Sequence, residues 1–309
     1  MRHRNAVTAL AVVLAGIASV ACAPPATQPS VVRTPTTLAT CHPESAPAVP
    51  PSIISVGDRG SVLYAPAGYT PGVSYPLVVS LHPFLLPPDV WESYSGLAAA
   101  AAARGYWVLL PHGSEPGPRW AVPGGISGGP DDIGWIEQLI EHTAAAVCVD
   151  SSRVFAAGFS AGAAMSVGLS CELPWRFRAI AASGGSNLTS LCPTAGPTDA
   201  LILHGSADPI APVTGNTIAF TPPVNLPVDD VVASFATRNG CDPTPTSSAF
   251  TTSVTIDHYS CGSHRLDYWR MIGAGHTWAG AAFPLDLVTG PTDHSFSATT
   301  AVLDYFDAS

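Results

Sequence analysis

The sequence predicts an α/β fold: one domain on a mostly parallel, doubly wound sheet with helices on both faces. Three observations carry this reading. Short apolar runs at 77–81, 106–110 and 154–157 are nearly continuous, as in strands buried on both faces. Helical segments alternate with them, which is the pattern of parallel strands joined by crossovers. The 309 residues, 47% hydrophobic, suffice for one large core.

The chain opens on an address. Arg2 and Arg4 precede an uncharged apolar run, 6–21, too short for a comfortable membrane span. The run ends Ser19-Val20-Ala21-Cys22, which resembles a bacterial lipobox except for Ser19, where Leu is usual. Residues 1–21 are read as a signal peptide, with lipid attachment at Cys22 and plain secretory cleavage as the alternative. Either way the protein is expected outside the cytoplasm, anchored to the outer face of the membrane or secreted. Residues 22–51, rich in Pro, Thr and Ala, are read as a tether.

The catalytic domain is expected over 52–309. Strands are read at 61–64, 77–81, 106–110, 154–157, 179–182, 201–203 and 266–270. A helix over 94–104 is stopped by Gly105. Another over 131–146 begins with Asp131 and Asp132, acids suited to a helix N-terminus. Further helices are read at 161–171, 229–238 and 298–306. The room between Gly184 and Ala200 is too little for a large helical lid.

Composition excludes several functions. The formal charge is −10 and all twelve basic residues are Arg. Such a chain lacks the basic surface that nucleic acid requires. No GxxxxGK[ST] motif is present to cradle a nucleotide phosphate. No cofactor and no metal are expected: His258 and His264 have no third ligand spaced near them. Cys22 aside, six cysteines remain, none spaced CxxC. An even count in an oxidising compartment suits disulfides, with fifteen connectivities open.

Two stretches match GxSxG, at Ser160 and Ser127. Only Ser160 follows a buried strand and opens a helix, as a nucleophile elbow requires. Ser127 lies in a glycine loop between Pro123 and Pro130. A serine hydroxyl needs a base, and the base an orienting acid. Asp208 leaves the strand at 201–203, and His276 follows two glycines after the last strand. The order Ser160, Asp208, His276 fits acyl-transfer chemistry. Two backbone N–H groups should receive the developing oxyanion: Ala161, next after Ser160, and Phe84, since Pro83 has no N–H. Trp120 and Trp278 are candidates to flank the substrate.

From about Ser61 onward the chain resembles the esterase/polyhydroxybutyrate depolymerase family of α/β-hydrolases, in its feruloyl-esterase-like branch. The resemblance rests on Asp131-Asp132-Ile133-Gly134-Trp135-Ile136, Val149-Asp150-Ser151-Ser152-Arg153-Val154-Phe155, Gly158-Phe159-Ser160-Ala161-Gly162, His204-Gly205-Ser206-Ala207-Asp208, Asn239-Gly240-Cys241 and Gly275-His276-Thr277-Trp278. The family's Ser, Asp and His fall on Ser160, Asp208 and His276. Pro83 departs from its usual Gly. The resemblance implies a serine esterase acting on feruloyl-type or other short-acyl esters. Polyhydroxybutyrate hydrolysis is the second choice; a peptidase and a catalytically weak, surface-anchored binding lipoprotein are rivals. The substrate is expected to be bulky, polymeric or derived from cell walls.

Cys241 and Cys261 resemble a family disulfide. The strand near 153–158 and the returning helix 161–171 are expected to bring Cys171 level with Cys148, which pairs them. By elimination Cys41 is assigned to Cys192.

Overall fold

The computed structural model describes residues 33–42, 46–114, 119–125, 129–215, 225–283 and 285–309. The signal segment, Cys22 and Ser127 lie outside these residues.

Ten strands form one sheet: β1 (Ile53–Val56), β2 (Arg59–Tyr64), β3 (Tyr75–Leu81), β4 (Trp107–Pro111), β5 (Val149–Phe159), β6 (Ala179–Ser183), β7 (Asp199–Gly205), β8 (Thr246–Ala249), β9 (Val254–Cys261) and β10 (His264–Met271). Their spatial order is β1-β2-β4-β3-β5-β6-β7-β10-β9-β8. Neighbours from β4 through β10 pair in parallel. The two strands at either edge are antiparallel. β4, β6 and β7 are buried at every residue, which is why they read as unbroken apolar runs.

The helices are α1 (Pro88–Ser95), α2 (Leu97–Ala103), α3 (Asp132–Ala146), α4 (Ala161–Glu172), α5 (Val228–Arg238), α6 (Asp286–Thr289) and α7 (Ala298–Asp307). One core cluster joins α3, α4 and α5 to the sheet; a second joins α1, α2 and α7 to it. The fold is thus an α/β sandwich, helices on both faces of a mostly parallel sheet.

Where the sequence suggested one helix over 94–104 there are two. Gly96, at φ 63°, caps α1 and turns the chain into α2. α1 itself begins with Pro88, whose fixed φ suits a first helical residue.

Part of the segment read as a tether is fastened to the domain. Arg33 bonds Asp131 and Glu172, the latter at 2.8 Å. Leu38 is buried in the core, and Arg176 donates to the Thr36 carbonyl at 3.0 Å. Cys41 closes a disulfide with Cys148.

That bond corrects two expected pairings. Cys148–Cys171 and Cys41–Cys192 are not formed; the bonds are Cys41–Cys148 and Cys171–Cys192. Cys241–Cys261 is as expected. The reason is length. β5 has eleven residues and climbs roughly 35 Å, whereas the twelve of α4 descend about 18 Å. Cys171 therefore stops about halfway down, where the loop carrying Cys192 passes. Cys148, below the foot of β5, meets the N-terminal segment instead.

Candidate active site

Ser160 is the one residue between β5 and α4, at φ 55° and ψ −119°. A side chain held at positive φ is uncommon and marks a strained turn. Its neighbours show why they are glycine. A Cβ on Gly158 would lie 2.4 Å from the Gly162 backbone, and one on Gly162 would lie 2.1 Å from the Leu81 carbonyl oxygen. The Ser160 amide donates to the Ser183 carbonyl of β6 at 2.9 Å, fixing the turn to the sheet.

His276 arrives from the loop after β10. Its amide donates to the Thr289 carbonyl at 2.6 Å, and its ring leans on Phe159, centroids 4.9 Å apart. Nε2 lies 2.8 Å from Ser160 Oγ and Nδ1 lies 2.8 Å from Asp208 Oδ2. With a carboxylate on one side, Nδ1 carries the proton and Nε2 is free to accept from the serine.

Asp208 follows β7, and its side chain is wholly buried. Its Oδ1 accepts the amides of Ile210 and Ala211 at 2.8 and 2.7 Å. Burial alone would raise its pKa. The attraction of His276 and the hydrogen bonds from His204 and His276 outweigh it, holding the carboxyl well below the usual range. An ionised acid, an oriented imidazole and a hydroxyl on a strained turn, in series, can carry out acyl transfer.

The turn after β3 runs beside the start of α4, because Leu81 and His82 carbonyls crowd Gly162. Ala161 is the first residue of its helix, so its amide has no intrahelical acceptor. Phe84 lies in the facing turn, 37% exposed, followed by Leu85 at φ 61°. His82, fully buried, secures that turn. Its Nε2 accepts the Gly113 amide at 2.9 Å, so Nδ1 donates to the Pro83 carbonyl at 2.8 Å. Burial pushes its pKa down to about 4.

The two tryptophans do not line the site. Trp120 is 3% exposed; its indole donates to the His82 carbonyl at 2.8 Å and packs on that ring. Trp278 is 1% exposed and donates to Thr299 Oγ1 at 2.9 Å. Both rings, expected to flank the substrate, instead tie loops together through their indole N–H groups. His258 and His264 sit on carboxylates, Asp267 at 2.8 Å and Asp199 at 3.0 Å.

Sequence reading missed the support of the loop after β4. Asp132, expected only to favour a helix start, is fully buried. It accepts from Arg59 at 2.6 Å and from the Ala121 amide at 2.7 Å. The partner lies 73 positions away, so no local signal could have shown it.

A family model described as phospholipase/carboxylesterase matches residues 128–219, which span Ser160 and Asp208. The chain is 29% identical to feruloyl esterase C of Emericella nidulans over 243 residues, 75% of this chain and 82% of that one. It is 26% identical to feruloyl esterase B of Piromyces equi over 228 residues, covering 71% of this chain and 42% of that protein. Acetyl xylan esterase from Aspergillus awamori superposes with a TM-score of 0.56 at 19% identity, covering 71% and 89% of the two chains. The fold is that of the α/β-hydrolase esterases. Within that class the chain is a carboxylic ester hydrolase.

Proposed function

We propose that the protein is an exported serine esterase in which Ser160 attacks the ester carbonyl. His276 takes the serine proton and returns it to the leaving alcohol; Asp208 holds the ring and stabilises the imidazolium. Water then deacylates the enzyme by the same route in reverse order. The amides of Ala161 and Phe84 receive the oxyanion. The observation that carries this is the unbroken series from Ser160 Oγ through His276 to Asp208, each contact 2.8 Å.

The substrate proposed is a feruloyl-type or other short-acyl ester. The likeness to feruloyl esterases favours it. A groove of about 810 Å³ flanks the oxyanion turn, between β2, the loop after β4 and the start of α1. It is lined by Arg59, Val62, Pro87, Pro88, His112 and Gly113 among others, and leaves room for a bulky or polymeric alcohol. Exposed Phe84, Ile210 and Leu287 lie in or near the segments that carry the triad and its turn, which keeps a hydroxyalkanoate ester as the second reading.

Three disulfides suit export to an oxidising compartment. A lipid anchor at Cys22 completes the proposal: Cys22→Ser should release the protein from membranes and leave esterase activity intact. The functional test is hydrolysis of p-nitrophenyl acetate, methyl ferulate and a hydroxybutyrate oligomer by the purified enzyme and by Ser160→Ala. Activity on none, or activity unchanged in the variant, overturns the reading.

A further inference from the structure

Asp208 is approached by a second histidine. His204, the penultimate residue of β7, is wholly buried and sits four positions before Asp208. Its Nε2 is 2.7 Å from the Ala211 carbonyl oxygen and 3.4 Å from Asp208 Oδ2. Both neighbours are acceptors, so Nε2 carries the ring proton. Nδ1 has no hydrogen-bond partner and is cut off from solvent.

The Ala211 peptide is therefore held from both ends. Its N–H goes to Asp208 Oδ1 and its C=O receives His204. Asp208 Oδ2 receives His276 and, at longer range, His204. His204 pairs in register with Arg270 on β10, whose side chain is engaged by Asp257 and Asp229. Burying an imidazole with one nitrogen unpaired carries a desolvation cost. A purely apolar residue would fill the space without it.

We infer that His204 is a positioning residue for the esterase reaction: its Nε2–H fixes the Asp208 loop and shares the carboxylate oxygen that orients His276. This rests on the assignment of Ser160, Asp208 and His276. Losing the donor leaves Asp208 free to rotate and its charge less stabilised. A carboxylate free to rotate no longer holds the His276 ring in line with Ser160 Oγ.

The test compares His204→Phe, His204→Gln and His204→Asn on methyl ferulate, or on p-nitrophenyl acetate if that is the better substrate. Gln can place an amide N–H where Nε2 stands; Asn is too short and Phe has none. Phe and Asn should lower kcat on the order of 10- to 100-fold with KM within about twofold. Both should broaden or displace the low-field Nδ1–H proton resonance of His276. Gln should recover kcat to within about fivefold and restore the resonance. If Phe does not fold, Gln against Asn makes the same comparison. Full kcat in Phe or Asn, or equal loss in Gln and Asn with an unaltered resonance, overturns the inference. Inactive wild type, by contrast, would fault the esterase assignment itself.

Discussion

A Cβ placed on Gly185 would lie 2.1 Å from the carbonyl oxygen of Ser160. The obstacle is backbone on both sides, so nothing flexible can yield. Gly185→Ala should push the elbow away from His276 and lower kcat by about 100-fold. Gly168, in the middle of α4, is the contrast: a Cβ there would make ordinary contacts at 3.4 Å or more. Gly168→Ala should raise stability by about 0.5–1 kcal/mol through helix propensity and leave kcat alone. Kinetics and urea titrations of both variants check the pair.

The three 2.8 Å-linked groups should act as one unit. Ser160→Ala and His276→Ala are each expected to reduce kcat by on the order of 10⁴-fold or more, and the double variant by little beyond that. Losses that multiply would mean that the two residues act separately.

The sheet and the convergence of Ser160, His276 and Asp208 were legible because both rest on local signals. β3, β4 and β7 are buried along nearly their whole length, so their apolar runs mark them. Ser160 is bracketed by glycines that the close approach of β3 and α4 requires. The edges left no such trace: β8, Thr-Ser-Ser-Ala, is exposed throughout and its sequence reads as loop. Long-range partners were equally silent. Nothing near Cys41 announces Cys148, 107 residues away, and the length of β5 below Arg153 was hidden because Asp150, Ser151 and Ser152 look unlike a strand.

His82 should make the fold acid-sensitive. Its pKa falls from 6.5 to about 4 on folding, so the folded state prefers the neutral ring. The unfolded chain binds the proton first. The contribution is complete above pH 6.5 and declines as pH falls toward 4, by about 3 kcal/mol in all. Protonation at Nε2 would also displace the Gly113 amide and disturb the turn carrying Phe84. His82→Gln offers an acceptor that does not titrate. Its unfolding free energy between pH 7 and 4 should therefore fall less steeply than that of the parent; parallel curves would refute the assignment.

The disulfides should differ in worth. On a chain-entropy basis Cys41–Cys148, with a separation of 107, contributes about 5 kcal/mol, and Cys241–Cys261, with a separation of 20, about 3 kcal/mol. Replacing Cys41 and Cys148 together by Ser should thus cost more stability than replacing Cys241 and Cys261. It also frees the segment around Leu38 from α3 and the core. Denaturant midpoints of the two double variants decide it, and peptide mapping of the oxidised parent should recover Cys171 joined to Cys192.

The groove beside the proposed oxyanion turn offers the sharpest distinction between small and extended substrates. Arg59–Ser61 begin the antiparallel β2, and 112–114 follow the end of β4, so both lie at the sheet edge that carries Ser160. β2, which supplies Arg59–Val62, is three strands from β5, which puts that wall of the groove roughly 14 Å from the serine at about 4.8 Å per strand. Val62, 42% exposed, forms part of its wall and pairs in register with Ile53 and Leu110. Its side chain makes no contact with the triad that a larger residue would disturb. Val62→Trp should fill the groove, lower kcat/KM on a feruloylated or acetylated oligosaccharide by about tenfold, and leave methyl ferulate and p-nitrophenyl acetate within about twofold. An equal loss on small and extended esters would show that the groove serves the fold and not the substrate.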